Sequence, residues 1–250
     1  RPEELQAPVI VAFLVACVAA MLCGAFNGIL VSKFNIQPMI ATLILFTAGR
    51  SIAAWINNNE LPVISEESFG IYGGFIPGIP IPTPVFIMLI CVLLTALALK
   101  YTNLGLYTQA VGINASSSRL NGLNPAFIKF ISFVILGLCV AVVGLIKVSR
   151  LSSINYSVIA KDIEMDAILA VALGGNSLSG GKFNMTASIL GAYVIQFLTT
   201  TLYKFNVESA ALSAYKAVVV IALVVFSAPA VRKKFADLTK KMKPQAKEAV

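Results

Sequence analysis

Val9-Ile-Val-Ala-Phe-Leu-Val-Ala-Cys-Val-Ala-Ala-Met-Leu-Cys-Gly-Ala-Phe-Asn-Gly-Ile-Leu30 contains no charged residue and is apolar on every face. A soluble protein would leave one face of such a helix polar. About 20 apolar residues carry an α-helix across roughly 30 Å of hydrocarbon, so this run reads as a membrane span. Working outward, further apolar segments follow at Ile36 to Ile56, Pro82 to Leu99, Ala126 to Ile146, Ile163 to Gly174, Met185 to Tyr203 and Ala210 to Ala228. Across 250 residues the composition is 58% hydrophobic and 12% charged, against about 25% charged in an average soluble domain. The expected fold class is therefore all-α, a polytopic transmembrane helical bundle with about seven spans.

Composition removes several chemistries. There is no histidine, which excludes His metal sites, His-containing triads and imidazole relays. Cys17, Cys23, Cys91 and Cys139 lie inside apolar runs without CxxC spacing and read as small core residues. The formal charge is +8, but the excess belongs to the tail: Arg232, Lys233, Lys234, Lys240, Lys241, Lys243 and Lys247 face only Asp237 and Glu248. That distribution is not the footprint of a nucleic-acid binder. Residues 1–228 read as a transmembrane domain and 229–250 as a basic cytoplasmic tail. In the tail, Phe235, Leu238 and Met242 have the spacing of an amphipathic helix on an anionic leaflet; an orientation signal is the simpler reading. Arg1, Glu3 and Glu4 precede the first span, a net negative flank unlike that of a signal peptide. With an opening Arg, this suggests a start partway through a longer membrane protein.

Loop charges set the orientation. Residues 57–81 hold Glu60, Glu66 and Glu67 and no base, whereas residues 100–129 hold Lys100, Arg119 and Lys129 and no acid. The positive-inside rule places the first loop outside and the second in the cytoplasm. A cytoplasmic tail then requires the short fifth segment, headed by Asp162, Glu164 and Asp166, to cross fully rather than re-enter. The outer loop alternates glycines with prolines and is expected to be irregular. Its apolar tips Phe69, Ile71, Tyr72 and Phe75 suit either a packed connector or an external docking surface.

Three constellations could carry function. In the cytoplasmic stretch Gly112-Ile-Asn-Ala-Ser-Ser-Ser-Arg-Leu-Asn-Gly122, Asn114 can cap a short helix, Asn121 and Gly122 can end it in a left-handed turn, and Pro125 can start the next span. So short a helix needs a surface to pack on, either its own bundle or a partner. Leu173-Gly-Gly-Asn-Ser-Leu-Ser-Gly-Gly-Lys182 imitates a phosphate loop. Asn176 stands where the first glycine should be, however, and Phe183 where Ser or Thr should bind magnesium, so a glycine-padded turn fits better. Finally, Arg50 and Lys216 lie inside spans, where an ion pair with an acid of the fifth segment competes with a role in a wet substrate path. Asn27, Gln37, Thr42 and Gln196 suit a neutral polyhydroxylated solute or interhelical hydrogen bonding.

Asn27-Gly-Ile-Leu-Val, Ile36-Gln-Pro-Met-Ile-Ala-Thr-Leu, Ala48-Gly-Arg50, Ala110-Val-Gly-Ile-Asn, Arg119-Leu-Asn-Gly and Asp166-Ala-Ile-Leu-Ala-Val-Ala-Leu-Gly-Gly-Asn-Ser-Leu-Ser-Gly-Gly181 together resemble the permease subunits of bacterial monosaccharide ABC importers. Ile36-Gln-Pro, Ala48-Gly-Arg50 and Gly181-Lys-Phe-Asn184 lean toward the galactofuranose type over the ribose type. Met165 stands where leucine is usual. The resemblance implies a ten-span bundle, of which these would be the last seven, in the bacterial inner membrane with a cytoplasmic C-terminus. It implies a second permease copy or paralogue, a periplasmic sugar-binding protein and a cytoplasmic ABC ATPase holding the ATP and Mg, with no cofactor in this chain. Gly112, Asn114, Ser118, Arg119, Leu120 and Gly122 would couple to that ATPase. Candidates for the substrate path are Asn27, Phe46, Arg50, Asp166 and Gln196. The expected function is inward passage of a furanose or pentose by alternating access, without covalent chemistry. An ion- or proton-coupled secondary transporter would instead place carboxylates near the midplane, and an intramembrane enzyme would need a membrane-depth acid dyad.

Overall fold

A computed structural model of the chain describes residues 9–63, 67–75, 78, 80–151, 153–156, 158–177, 180–181, 183–205, 211 and 214–218. The helices are α1 (Val9–Ser32), α2 (Pro38–Ile56), α3 (Glu67–Gly70), α4 (Thr83–Tyr101), α5 (Leu104–Ile113), α6 (Ala115–Leu120), α7 (Pro125–Leu151), α8 (Ile163–Leu173) and α9 (Met185–Lys204). Among the described residues, extended pairing is confined to two isolated bridges, so the architecture is all-α. Helices α1, α2, α4, α7 and α9 are long and apolar enough to cross a membrane. Their large side chains point outward, including Trp55 near the end of α2 at 78% exposure and Tyr101 at the end of α4 at 74%. Amphipathic rings at helix ends suit the two membrane–water interfaces.

The described residues divide into two compact units between Lys161 and Asp162. In the first, α1 and α7 pack antiparallel through small residues. Gly24 meets the carbonyl of Phe133, Gly28 rests on Phe130, and Gly137 meets the carbonyl of Ala20, so an added Cβ at any of them would press on the facing helix. Gly24 and Gly28 form a GxxxG face, the pattern that lets helix backbones approach closely where lipid offers no hydrophobic drive. The loop of residues 57–81 meets the end of α7, where Ser149 Oγ donates to the Phe69 carbonyl at 2.5 Å, and the segment after it, where Ile154 N–H donates to Pro62 O at 3.0 Å; at the start of α4, Thr83 N–H donates to Gly74 O at 2.9 Å.

In the second unit, α8 and α9 form a tight hairpin. A Cβ on Gly174 would sit 2.6 Å from the Ala187 carbonyl oxygen, and one on Gly191 would strike the carbonyl of Ala170. Asn176 clasps the turn. Its Oδ1 accepts from Asn184 N–H at 2.6 Å, and its Nδ2 donates to Ser188 Oγ at 2.6 Å and to Asn184 O at 3.1 Å. Asn184 in turn caps α9 through Ala187 N–H at 3.2 Å. Gly175, Gly180 and Gly181 have φ of 78°, 93° and 110°, which glycine adopts without steric cost. The glycines thus serve the turn.

Several expectations need correction. The fifth apolar segment yields only 11 helical residues, about 16 Å or half the hydrocarbon thickness, so α8 alone does not make the full crossing expected of it. The loop of residues 57–81 contains one helical turn, α3, despite its glycines. The ten-residue helix α5 was not anticipated; its signal was the Thr102-Asn103 pair before Leu104, whose N–H is accepted by Thr102 Oγ1 at 3.3 Å. Most of the last apolar segment, the whole basic tail, Lys182 and the boundary at 228/229 lie outside the described residues.

Two outcomes test this packing. Gly137→Ala forces the α1–α7 pair apart and should cost about 1–3 kcal/mol, whereas Gly144→Ala, with open space at its Cβ, should be neutral or stabilising by up to about 1 kcal/mol. Thermal unfolding of the two purified variants in one detergent decides. Lys216 Nζ binds both Asp166 oxygens at 2.8 and 3.0 Å. Lys216→Met should therefore cost between about 1 kcal/mol, as for exposed pairs, and about 3 kcal/mol, as for buried ones. The exchange Asp166→Lys with Lys216→Asp should recover part of that loss.

Candidate functional site

The candidate coupling element is built by its caps. Asn114, extended at φ −155°, ψ 101°, accepts from Ser117 N–H through Oδ1 at 3.0 Å and satisfies a free donor of the first turn. At the other end Leu123 N–H reaches Ser118 O at 3.1 Å and Gly122 N–H reaches Arg119 O at 3.1 Å. Gly122 takes the left-handed turn at φ 80°. Asn121, expected to share that conformation, stays at φ −85° and uses Nδ2 to bond Ser117 O at 2.9 Å. Asn124 Oδ1 then caps α7 through Phe127 N–H at 3.2 Å. A helix of six residues is thereby held at both ends and followed at once by a span.

Its faces differ. Ser118 is buried at 6% exposure and donates Oγ to Asn114 O at 2.9 Å, so it fastens the element from inside. Arg119 is exposed, and Leu120, at 91%, is among the most exposed large apolar residues described. Gly112, near the end of α5, lines a cavity shared with Gln37.

At the opposite end of the same unit, Phe46 and Arg50 come together one helical turn apart on α2. The guanidinium carbon lies 4.8 Å from the Phe46 ring centroid, within cation–π range. Nη1 donates to Tyr156 O at 2.5 Å and Nη2 to Ile159 O at 3.4 Å. Arg50 is therefore held by backbone carbonyls, whereas the anticipated pairing with an acid is made by Lys216, with Asp166. The segment that receives Arg50 is strained: Ala160 lies at φ 54°, a conformation costing a residue with a Cβ about 1–2 kcal/mol. Tyr156 also donates its hydroxyl to Glu60 O at 3.0 Å, joining the loop after α2 to the same point. Sequence reading missed Tyr156 and Ile159 because they contribute carbonyls, and a backbone acceptor leaves no mark on residue type.

The remaining path candidates stand elsewhere. Asn27 is 7% exposed on the α1 face that carries Gly24, Gly28 and Val31, and its Oδ1 has no hydrogen-bond partner among the described residues. Asp166 has both oxygens engaged by Lys216. Gln196 and Gln37 are exposed, and the Thr42 hydroxyl is within reach of its own helix at Pro38 O and Met39 O.

Residues 3–228 match the family described as "Branched-chain amino acid transport system / permease component". The chain is 37% identical to the fructose import permease protein FruF of Bifidobacterium longum, over 94% of this chain and 67% of that protein. It is 35% identical to the galactofuranose transporter permease protein YtfT of Escherichia coli, over 86% and 63%. With the ribose import permease protein RbsC of Escherichia coli the identity is 37%, over 87% and 68%. The chain thus spans about two thirds of the length of these relatives. No solved structure matches it. Long apolar helices, a capped helical turn beside a span and a match over nearly the whole sequence agree: the chain belongs to this family of multi-pass membrane permease components, which are transport subunits and not enzymes.

Proposed function

We propose that this chain is the permease subunit of an ATP-driven importer that passes a furanose or pentose from the periplasm to the cytoplasm by alternating access. The observation that carries the reading is α6, a doubly capped helical turn presenting Leu120 and Arg119 outward. Six residues cannot sustain a helix in water by propensity, and a fully exposed leucine at its end gains from entering an apolar groove. A cytoplasmic ABC ATPase supplies that groove, and the ATP and Mg belong to that partner. A second permease copy or a paralogue binds a second ATPase. When nucleotide closes the ATPases, two elements like α6 move together, and the bundle shifts toward the state that binds the closed pair better.

The sugar assignment draws on the names of the relatives. Fructose, galactofuranose and ribose all form five-membered rings, so a furanose-form sugar is the common substrate class. Periplasmic delivery falls to a sugar-binding protein, and the outer loop offers Ile71 and Phe75 for that contact, at 42% and 62% exposure. Arg50 lies in the substrate path. A guanidinium supplies five donors in a fixed fork, and the two bonds to Tyr156 and Ile159 leave others to meet sugar hydroxyls. The excess of bases in the tail favours a cytoplasmic C-terminus.

In the complete transporter, Leu120→Asp and Arg119→Glu should each weaken ATPase association by about 2 kcal/mol, the size of an interface hot spot. That corresponds to roughly a thirtyfold loss, read as reduced co-purification of the ATPase with reduced sugar uptake; unchanged recovery and uptake would remove the coupling assignment. Arg50→Lys keeps the charge and loses the fork. It should lower uptake more than the amount of protein in the membrane, and a parallel fall of both would mark Arg50 as structural.

A further inference from the structure

We propose that a cavity at the basic end of the first unit holds the headgroup of an anionic phospholipid. The cavity measures about 360 Å³ and opens between the turn joining α1 to α2, the end of α5 and the start of α7. Its floor is apolar, made by Val31, Val111, Ile128 and Phe133, and its rim carries Asn35, Gln37 and Lys129. Val31, Val111 and Ile128 are buried, whereas Asn35, Gln37 and Lys129 are exposed. That order matches a lipid, whose phosphate stays at the membrane surface while its first methylenes descend.

The rim is uncommitted. Among the described residues, the side chains of Asn35, Gln37 and Lys129 show no hydrogen bond or ion pair, and Lys129 and Gln37 are exposed. Thr108 and Ser132, also in the wall, spend their hydroxyls on Leu104 O and Ile128 O, which leaves the amides and the ammonium to serve a guest. The local charge is of one sign. Lys33 sits on the same turn, and Lys100, Arg119 and Lys129 complete the loop from 100 to 129, which contains no acid. Basic pockets between spans at the cytoplasmic face suit anionic headgroups, with each Lys near the surface contributing about 1 kcal/mol. Gln37 makes no side-chain cap for α2, so the partial positive charge of that N-terminus adds to the field. The turn itself is closed locally, with Asn35 at φ 51° and Ile36 N–H on Leu30 O at 3.2 Å.

Because Val111 and Gly112 line the cavity two or three residues before α6, a bound lipid would join α5 to the α1–α2 turn. The lipid assignment itself is independent of what α6 docks against.

The test is native mass spectrometry of the purified full chain in detergent with equimolar phosphatidylglycerol and phosphatidylethanolamine. The chain should retain phosphatidylglycerol preferentially. Lys129→Gln should lower that retention about fivefold, the equivalent of one lost cation, and Lys129→Arg should preserve it. Gln37→Leu gives a second variant in the rim should Lys129→Gln fail to fold, and Lys147→Gln, toward the other end of α7, should leave retention unchanged. Equal retention of the two lipids overturns the proposal, as does full retention in both rim variants. Displacement of the lipid by millimolar inorganic phosphate would assign the cavity to a small soluble anion and likewise overturn it.

Discussion

Hydrocarbon offers no water to an unpaired backbone group, and that constraint organises every element of this chain. Each span must satisfy its own N–H and C=O groups, so the segments form helices. Helices that are apolar all round gain nothing by hiding from lipid, which is as apolar as they are. What remains to hold α1 against α7 is close approach. Gly24, Gly28 and Gly137 remove the Cβ atoms that would keep the backbones apart, and the same device recurs at Gly174 and Gly191 between α8 and α9. Among the described residues no large side chain is fully buried, which is the natural result of packing by absence of side chains.

Polar groups are correspondingly few, and most have a mechanical task. Asn176 and Asn184 close the α8–α9 turn, Asn114 caps α6 and Asn124 caps α7, and Asp166 binds Lys216. These groups resemble one another in type and differ in role only by what lies opposite. Arg119, Leu120 and Lys129 break the pattern, since their exposed ends meet no group of the described chain that would account for them. They belong to the acid-free stretch from 100 to 129, where ATPase docking and lipid binding are proposed.

Much of this was legible beforehand. Six apolar runs became helices with ends within a few residues of the reading, because the signal, a long stretch without charge, is strong and one-dimensional. The caps of α6 were legible for a similar reason: Asn, Gly and Pro at fixed offsets describe local backbone geometry. The bounds of the short fifth segment were legible too, but its full crossing was wrongly inferred, since a loop-charge argument counts crossings without measuring helices. The choice between Arg50 and Lys216 as partner of an acid also stayed open, because residues 50 and 216 are both single cations in apolar runs; it took the folded chain to show Lys216 paired with Asp166, at 2.8 Å.

By itself the sequence determined that this is an all-α membrane permease component with a short capped helix between two spans, because hydropathy, capping residues and family motifs are properties of neighbours along the chain. Only the tertiary structure decided that Ser118 turns inward while Leu120 turns outward, that Arg50 rests on Phe46 and two carbonyls, and that Gln37, Lys129 and Gly112 share one cavity. Those facts depend on residues far apart in the chain meeting in space, and a pattern of types along one dimension does not encode which carbonyl, ring or void will stand opposite a given side chain.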